Sequence, residues 1–155
     1  MQNLDAERAA SARLQTFYIP SLAPLYDRFS VRAETLLRVV AGALLVTHGF
    51  PKILDPFGAS GLVESIGFYP GAFWSPLLSV SEFFAGVCLT LGLFTRPAAL
   101  VATVILLVTV YFHGVLQGQG LFGAEKSILW AAITLFFLVR GAGRHSLDTI
   151  IGRHI

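Results

Sequence analysis

Arg38, His48 and Lys52 stand ten and four residues apart in a stretch that is otherwise apolar. At about 100° per residue, a helix gathers them into an arc of roughly 80°. Gly42 and Gly49 share much of that face, and small residues there let a second helix come close. Ser75, Ser79, Glu82 and Gly86 follow at spacings of four, three and four, forming another single face. Its carboxylate can pair with a cation or relay a proton. Thr109 and His113 are four residues apart on a third apolar run. Glu125, Lys126 and Ser127 open a fourth, with Thr134 two turns below.

The elements that must position these groups follow from composition. With 55% apolar and 13% charged residues in 155, the chain is a membrane protein with room for one domain. About twenty apolar residues are needed to cross roughly 30 Å of hydrocarbon, and four segments come close: 33–54, 72–94, 97–116 and 124–139, the last being the shortest. The expected fold is all-α, an integral membrane four-helix bundle. A short amphipathic segment around Leu62 to Phe68 is expected in the first outer connection, with Phe68, Tyr69, Phe73 and Trp74 near the headgroups. Residues 1–32 read as a cytoplasmic or interfacial segment, 33–140 as the four-span domain and 141–155 as a cytoplasmic tail. The first thirty or so residues have charges but no continuous apolar stretch, so the first span is expected to serve as a retained membrane signal.

Charge sets the orientation. Arg8, Arg13, Arg28, Arg32, Arg96, Arg140, Arg144 and Arg153 fall on one side of a four-span chain, and only Lys52 and Lys126 on the other. Both termini are therefore expected in the cytoplasm. A net charge of +2 with scattered basic residues argues against nucleic acid as a partner, leaving the lipid bilayer as the first one. The single cysteine, Cys88, excludes a disulfide framework or a CxxC redox pair and reads as core packing.

An ionisable group within a span costs several kcal/mol and usually faces the bundle interior. The antiparallel order brings His48, Lys52, His113, Glu125 and Lys126 to the outer half with Glu82 beneath them. His48, Lys52, Glu82, His113 and Glu125 are thus the candidate ligand-binding residues, with Glu82 a candidate proton relay; Arg38, Gly42, Gly49 and Gly86 are structural candidates. Plainer readings stand beside these. Lys52, Glu125 and Lys126 at span ends can reach water, Arg38 can anchor at the inner boundary, either histidine can satisfy a carbonyl, and Glu82 can lock the bundle through an ion pair.

The order of features resembles the DoxX family of small bacterial four-helix membrane proteins. It comprises an Arg in the first span, THGFPKIL, the Glu within SEFFAGVCLTLGLFTRPAA, a His closing the third span and the tail GAGRHSLD, covering about Ala33 to Asp148. The matching positions are Arg38, Gly49, Lys52, Glu82, Gly86, Arg96 and Ser146, Leu147 and Asp148. The resemblance implies a bacterial inner-membrane protein associated with redox or sulfur metabolism. It suggests a membrane subunit that works with a separate oxidoreductase and binds a quinone or similar lipid. His48, Lys52 or His113 would donate to a quinone carbonyl, and Glu82 would relay the protons of a quinol. A second class of reading is a non-enzymatic assembly scaffold. A third is haem held axially by His48 and His113, with no other metal site expected. A homo-oligomer through Gly42 or Gly86 is also open.

Overall fold

The computed structural model describes residues 19–152. Arg8, Arg13, Arg153 and His154 lie outside the described residues. Among those described there is no strand, and the chain is a succession of helices. A 3-10 turn, Pro20–Leu22, leads into α1, Ala23–Leu54. Then come α2, Ser60–Ser65; α3, Gly71–Leu91; α4, Thr95–Tyr111, continued by a π-helical turn, Phe112–Leu116; α5, Gly120–Arg140; and α6, Leu147–Ile151. The described residues fall into two compact units, divided between Glu34 and Thr35. In the described part of the first, Ser30 Oγ donates to the Asp27 carbonyl and the Arg32 guanidinium lies 6.0 Å from the Phe29 ring centre.

Three helical stretches among the described residues are long and apolar enough to cross a membrane: Gly71–Leu91, Thr95–Leu116 and Gly120–Arg140. The helix expected as the first span is not among them. Its apolar part is interrupted by Arg38, His48 and Lys52. The last span begins at Gly120, four residues before the expected start, and has 21 residues rather than being unusually short. Gly118 and Gly120 take positive φ, 64° and 62°, so the turn closes sooner than the apolar run suggested.

Local chemistry explains the other boundaries. Gly92, with φ of 67°, ends α3, and Leu93 N–H donates back to the Cys88 carbonyl at 2.9 Å, the pattern of a left-handed helix stop. Pro97 sits in the first turn of α4, where no amide hydrogen is missed. Gly67 turns the chain after α2, which occupies Ser60–Ser65 rather than Leu62 to Phe68. Glu64 on α2 then accepts from the Gly71 N–H at 2.7 Å, placing a carboxylate at the start of α3.

The interior of the second unit is built from small residues. Leu45, Ala85, Leu89, Ala98, Ala99, Ala102 and Phe137 form the core, with Cys88 and Trp130 packed against it. Thr103 Oγ1 donates to Thr134 Oγ1 at 2.8 Å between α4 and α5, and also meets the Ala99 carbonyl of its own helix. Ser75, Ser79, Glu82 and Gly86 are all buried, as their spacing predicts. Large apolar side chains such as Phe84, Leu107, Leu129 and Val139 point outward. Small and polar residues inside with large apolar residues outside suit a lipid solvent, in which close packing and interhelical hydrogen bonds hold helices together.

Candidate functional site: a lateral groove beside a buried ion pair

Glycine brings α1 and α3 together. A Cβ added at Gly42 would lie 2.8 Å from the Gly86 carbonyl oxygen, one at Gly86 2.8 Å from Val46 N, and one at Gly49 2.8 Å from Phe83 N. Real side chains do not tolerate such distances, so the two backbones touch only because these positions are glycine. Gly42 and Gly86 are therefore occupied within the chain. Each is covered by the other's helix.

This approach delivers Lys52 to Glu82. The Lys52 ammonium forms an ion pair with Glu82 Oε2, the carboxylate being buried and the lysine half-buried. A charge in hydrocarbon is tolerated when paired and hydrogen-bonded, and each group meets that need for the other.

At the opposite end Arg38 is 1% exposed, so it is enclosed rather than anchored at a surface. Its Nη1 donates to the Leu89 carbonyl and, at 3.0 Å, to that of Thr90, while Nη2 donates to His145 O at 2.6 Å. One guanidinium thus ties the last carbonyls of α3 to the tail. The tail also reaches α4. Asp148 Oδ1 accepts from Phe94 N–H at 2.8 Å, Oδ2 accepts from Thr95 N–H at 3.0 Å, and Asp148 N–H donates to the Gly92 carbonyl at 2.9 Å. Phe94 has φ of 46°, a conformation uncommon outside glycine, and the carboxylate holds it there. Ser146 caps α6 by accepting from Thr149 N–H. The SLD tail therefore has a mechanical role that its sequence did not announce.

A groove of about 660 Å³ opens along the side of the bundle. Its walls are apolar: Leu62 and Val63 from α2, Leu77 and Leu78 from α3, and Leu100, Val104 and Val108 from α4. Lys52, Ser81, Thr109 and His113 are among the residues of its lining that carry polar side chains. Since α3 and α4 are joined by only Gly92, Leu93 and Phe94, they run antiparallel. Trp74 at the start of α3 and His113 after α4 are thus at one end of the groove, and Leu100 towards the other. Phe68 and Trp74, expected near the headgroups, pack edge to face at 5.1 Å and line this end.

The sequence-based cluster is only partly assembled. Lys52 and His113 line one groove, and Glu82 adjoins it through the ion pair. His48 does not line it; its exposed ring packs edge-on to Trp130 of α5, with centroids 5.3 Å apart. Glu125 and Lys126 are exposed and outside the lining. The two histidines suggested as axial ligands thus have different surroundings, because His113 hydrogen-bonds Gln117 at 2.9 Å. Among the described residues, no three His, Cys, Asp or Glu side chains are grouped to hold a metal. Ser81 and Gln117 were missed, though Gln117 stands one helical turn beyond His113, a spacing that could have signalled it.

Comparison with known proteins accords with this architecture. The DoxX family model matches residues 33–114. The chain is 32% identical over 121 residues to an uncharacterized protein of Haemophilus influenzae, covering 72% of this chain and 85% of that one. It is 28% identical over 118 residues to the inner membrane protein YqjF of Escherichia coli, covering 75% and 89%. No solved structure matches. With the family match spanning more than half the chain, this membrane protein belongs to the DoxX family.

Proposed function

We propose that this protein is a bacterial inner-membrane subunit whose lateral groove binds a quinone or a similarly built lipid, in the service of a redox process run with a separate oxidoreductase. The carrying observation is the groove itself. Its volume falls within the about 300–1,000 Å³ usual for small-molecule sites, its walls are apolar, and its polar lining residues are few, two of them, Thr109 and His113, at one end. Such a distribution suits a molecule with a polar ring and a hydrocarbon tail. Lys52 and His113 are the residues to meet the ring; Glu82 acts through Lys52 by keeping a charge-balanced ammonium beside the groove. A single cysteine cannot carry out dithiol exchange, and in this reading electrons come from a partner protein or directly from a bound donor. In this reading the later part of α1 is a fourth span, residues 1–32 and 141–155 are cytoplasmic, and the groove's polar end lies in the outer half of the membrane.

Mass spectrometry of the organic extract from purified protein tests the reading. Wild type should retain quinone, and Val104→Trp, which fills the groove from α4, should lose it while remaining folded. Equal retention by both, or none by wild type taken from native membranes, refutes it. A second reading, an assembly scaffold, is favoured by one fact: Arg38, Glu82 and Asp148 all find partners inside the chain and need no ligand to satisfy them. Under that reading the Val104→Trp protein still assembles its partner, and function survives the loss of the groove.

A further inference from the structure

The end of α4 fixes the hydrogen-bonding character of His113. Gln119 Nε2 donates to Gln117 Oε1 at 2.9 Å, so that oxygen is an acceptor. His113 Nδ1 lies 2.9 Å from the same oxygen. An acceptor is met by a donor, so Nδ1 carries the proton, and in a neutral imidazole Nε2 keeps a lone pair. The backbone holds both glutamines in place: Gln117 N–H donates to the Phe112 carbonyl at 2.9 Å and Gln119 N–H to that of His113 at 3.2 Å. The wide π-helical turn over Phe112–Leu116 carries His113, and such turns recur at functional sites.

His113 shares the groove with Lys52, whose ammonium can only donate. A ligand group that meets Lys52 must accept, and one that meets His113 Nε2 must donate to it. A hydroxyl can do either. A quinone carbonyl only accepts, and would set its lone pairs against that of Nε2. We infer that the groove takes the reduced, hydroxyl-bearing form of its aromatic lipid, a quinol, in preference to the quinone. His113 Nε2 is the acceptor, and Gln117, seated by Gln119, is the positioning residue that sets the tautomer. This rests on the quinone-binding reading above and adds which redox form is held; it is a binding preference and includes no electron transfer.

The test is titration of the purified full chain in lipid nanodiscs with a short-chain benzoquinone and, under anaerobic reducing conditions, with its quinol. Wild type should bind the quinol about tenfold more tightly, the effect of one hydrogen bond made in place of an acceptor facing an acceptor. His113→Phe should bring the ratio towards unity while keeping quinone affinity. Gln117→Leu should lower the ratio with His113 still present, and Gln117→Glu, which retains an acceptor, should preserve it; a merely structural role for Gln117 would not move this ratio. Equal affinity of wild type for both forms, or preference for the quinone, overturns the inference and leaves quinone binding standing. Binding of neither form overturns the quinone-binding reading, and the inference with it.

Discussion

Replacing Asp148 measures how far the tail holds the bundle. Its carboxylate receives two backbone N–H groups, from Phe94 and Thr95, at the start of α4. Thr95 is fully buried, so its stranded N–H costs about 1–3 kcal/mol. Phe94 is 50% exposed, its N–H can find water again, and its loss is nearer the about 0.5–1 kcal/mol of a weak cap. Loss of a negative charge at a helix start adds about 0.3–1 kcal/mol. Asp148→Ala should therefore destabilise by about 2–5 kcal/mol. Asp148→Asn keeps one carbonyl oxygen for Thr95 N–H but turns an NH₂ towards Phe94 N–H, for a cost of about 1–2 kcal/mol. The assay is reversible unfolding of the purified protein in mixed micelles with increasing dodecyl sulfate, followed by the fluorescence of Trp74 and Trp130. An alanine variant within about 0.5 kcal/mol of wild type, the range of an ordinary surface substitution, would refute the capping argument. So would an asparagine variant as unstable as the alanine one.

The Lys52 and Glu82 pair should behave as a unit in the same unfolding assay. Lys52→Met or Glu82→Leu alone leaves one charge without its partner and should cost about 2–4 kcal/mol, somewhat below a fully buried pair because Lys52 is half-exposed. The double variant should be more stable than the sum of the two by at least about 1 kcal/mol, and strict additivity contradicts direct pairing. Gly86→Val should cost about 3 kcal/mol or more, since its Cβ meets Val46 N and Gly42 O, both backbone atoms. Gly61→Ala, with nothing within 4 Å of the added Cβ, is the control and should stay within about 0.5 kcal/mol of wild type.

The helices were legible because apolar runs and polar stripes have the helical period, and the buried face of α3 was found in this way. The Lys52 and Glu82 pair could be anticipated from two polar stripes, and the glycines between them indicated which helices touch. His48 was misplaced for a clear reason. Helical spacing gives its angle relative to Lys52 but not its neighbour, and that neighbour is Trp130 of α5. The groove was invisible because its lining and the lipid-facing surface are made from the same residue types; Val104 and Leu107 look alike in sequence, yet only Val104 lines it. Arg38 and Asp148 depend on partners 51 to 107 residues away, beyond any local spacing. The Ser146, Leu147 and Asp148 tail carried the family pattern without revealing that it caps a helix at another point in the chain.

The clasp at Arg38 also bears on how the chain is made. A ribosome delivers α1 before the tail, and the carbonyl of His145 that receives Arg38 Nη2 is synthesised 107 residues later. During synthesis the guanidinium must be hydrated or held by lipid headgroups, and α1 can settle fully into the bundle only after the tail emerges. A chain terminated before His145 would present an arginine lacking that acceptor. Residues made later thus complete a helix made earlier, and a product cut short before His145 carries a visible mark of its incompleteness.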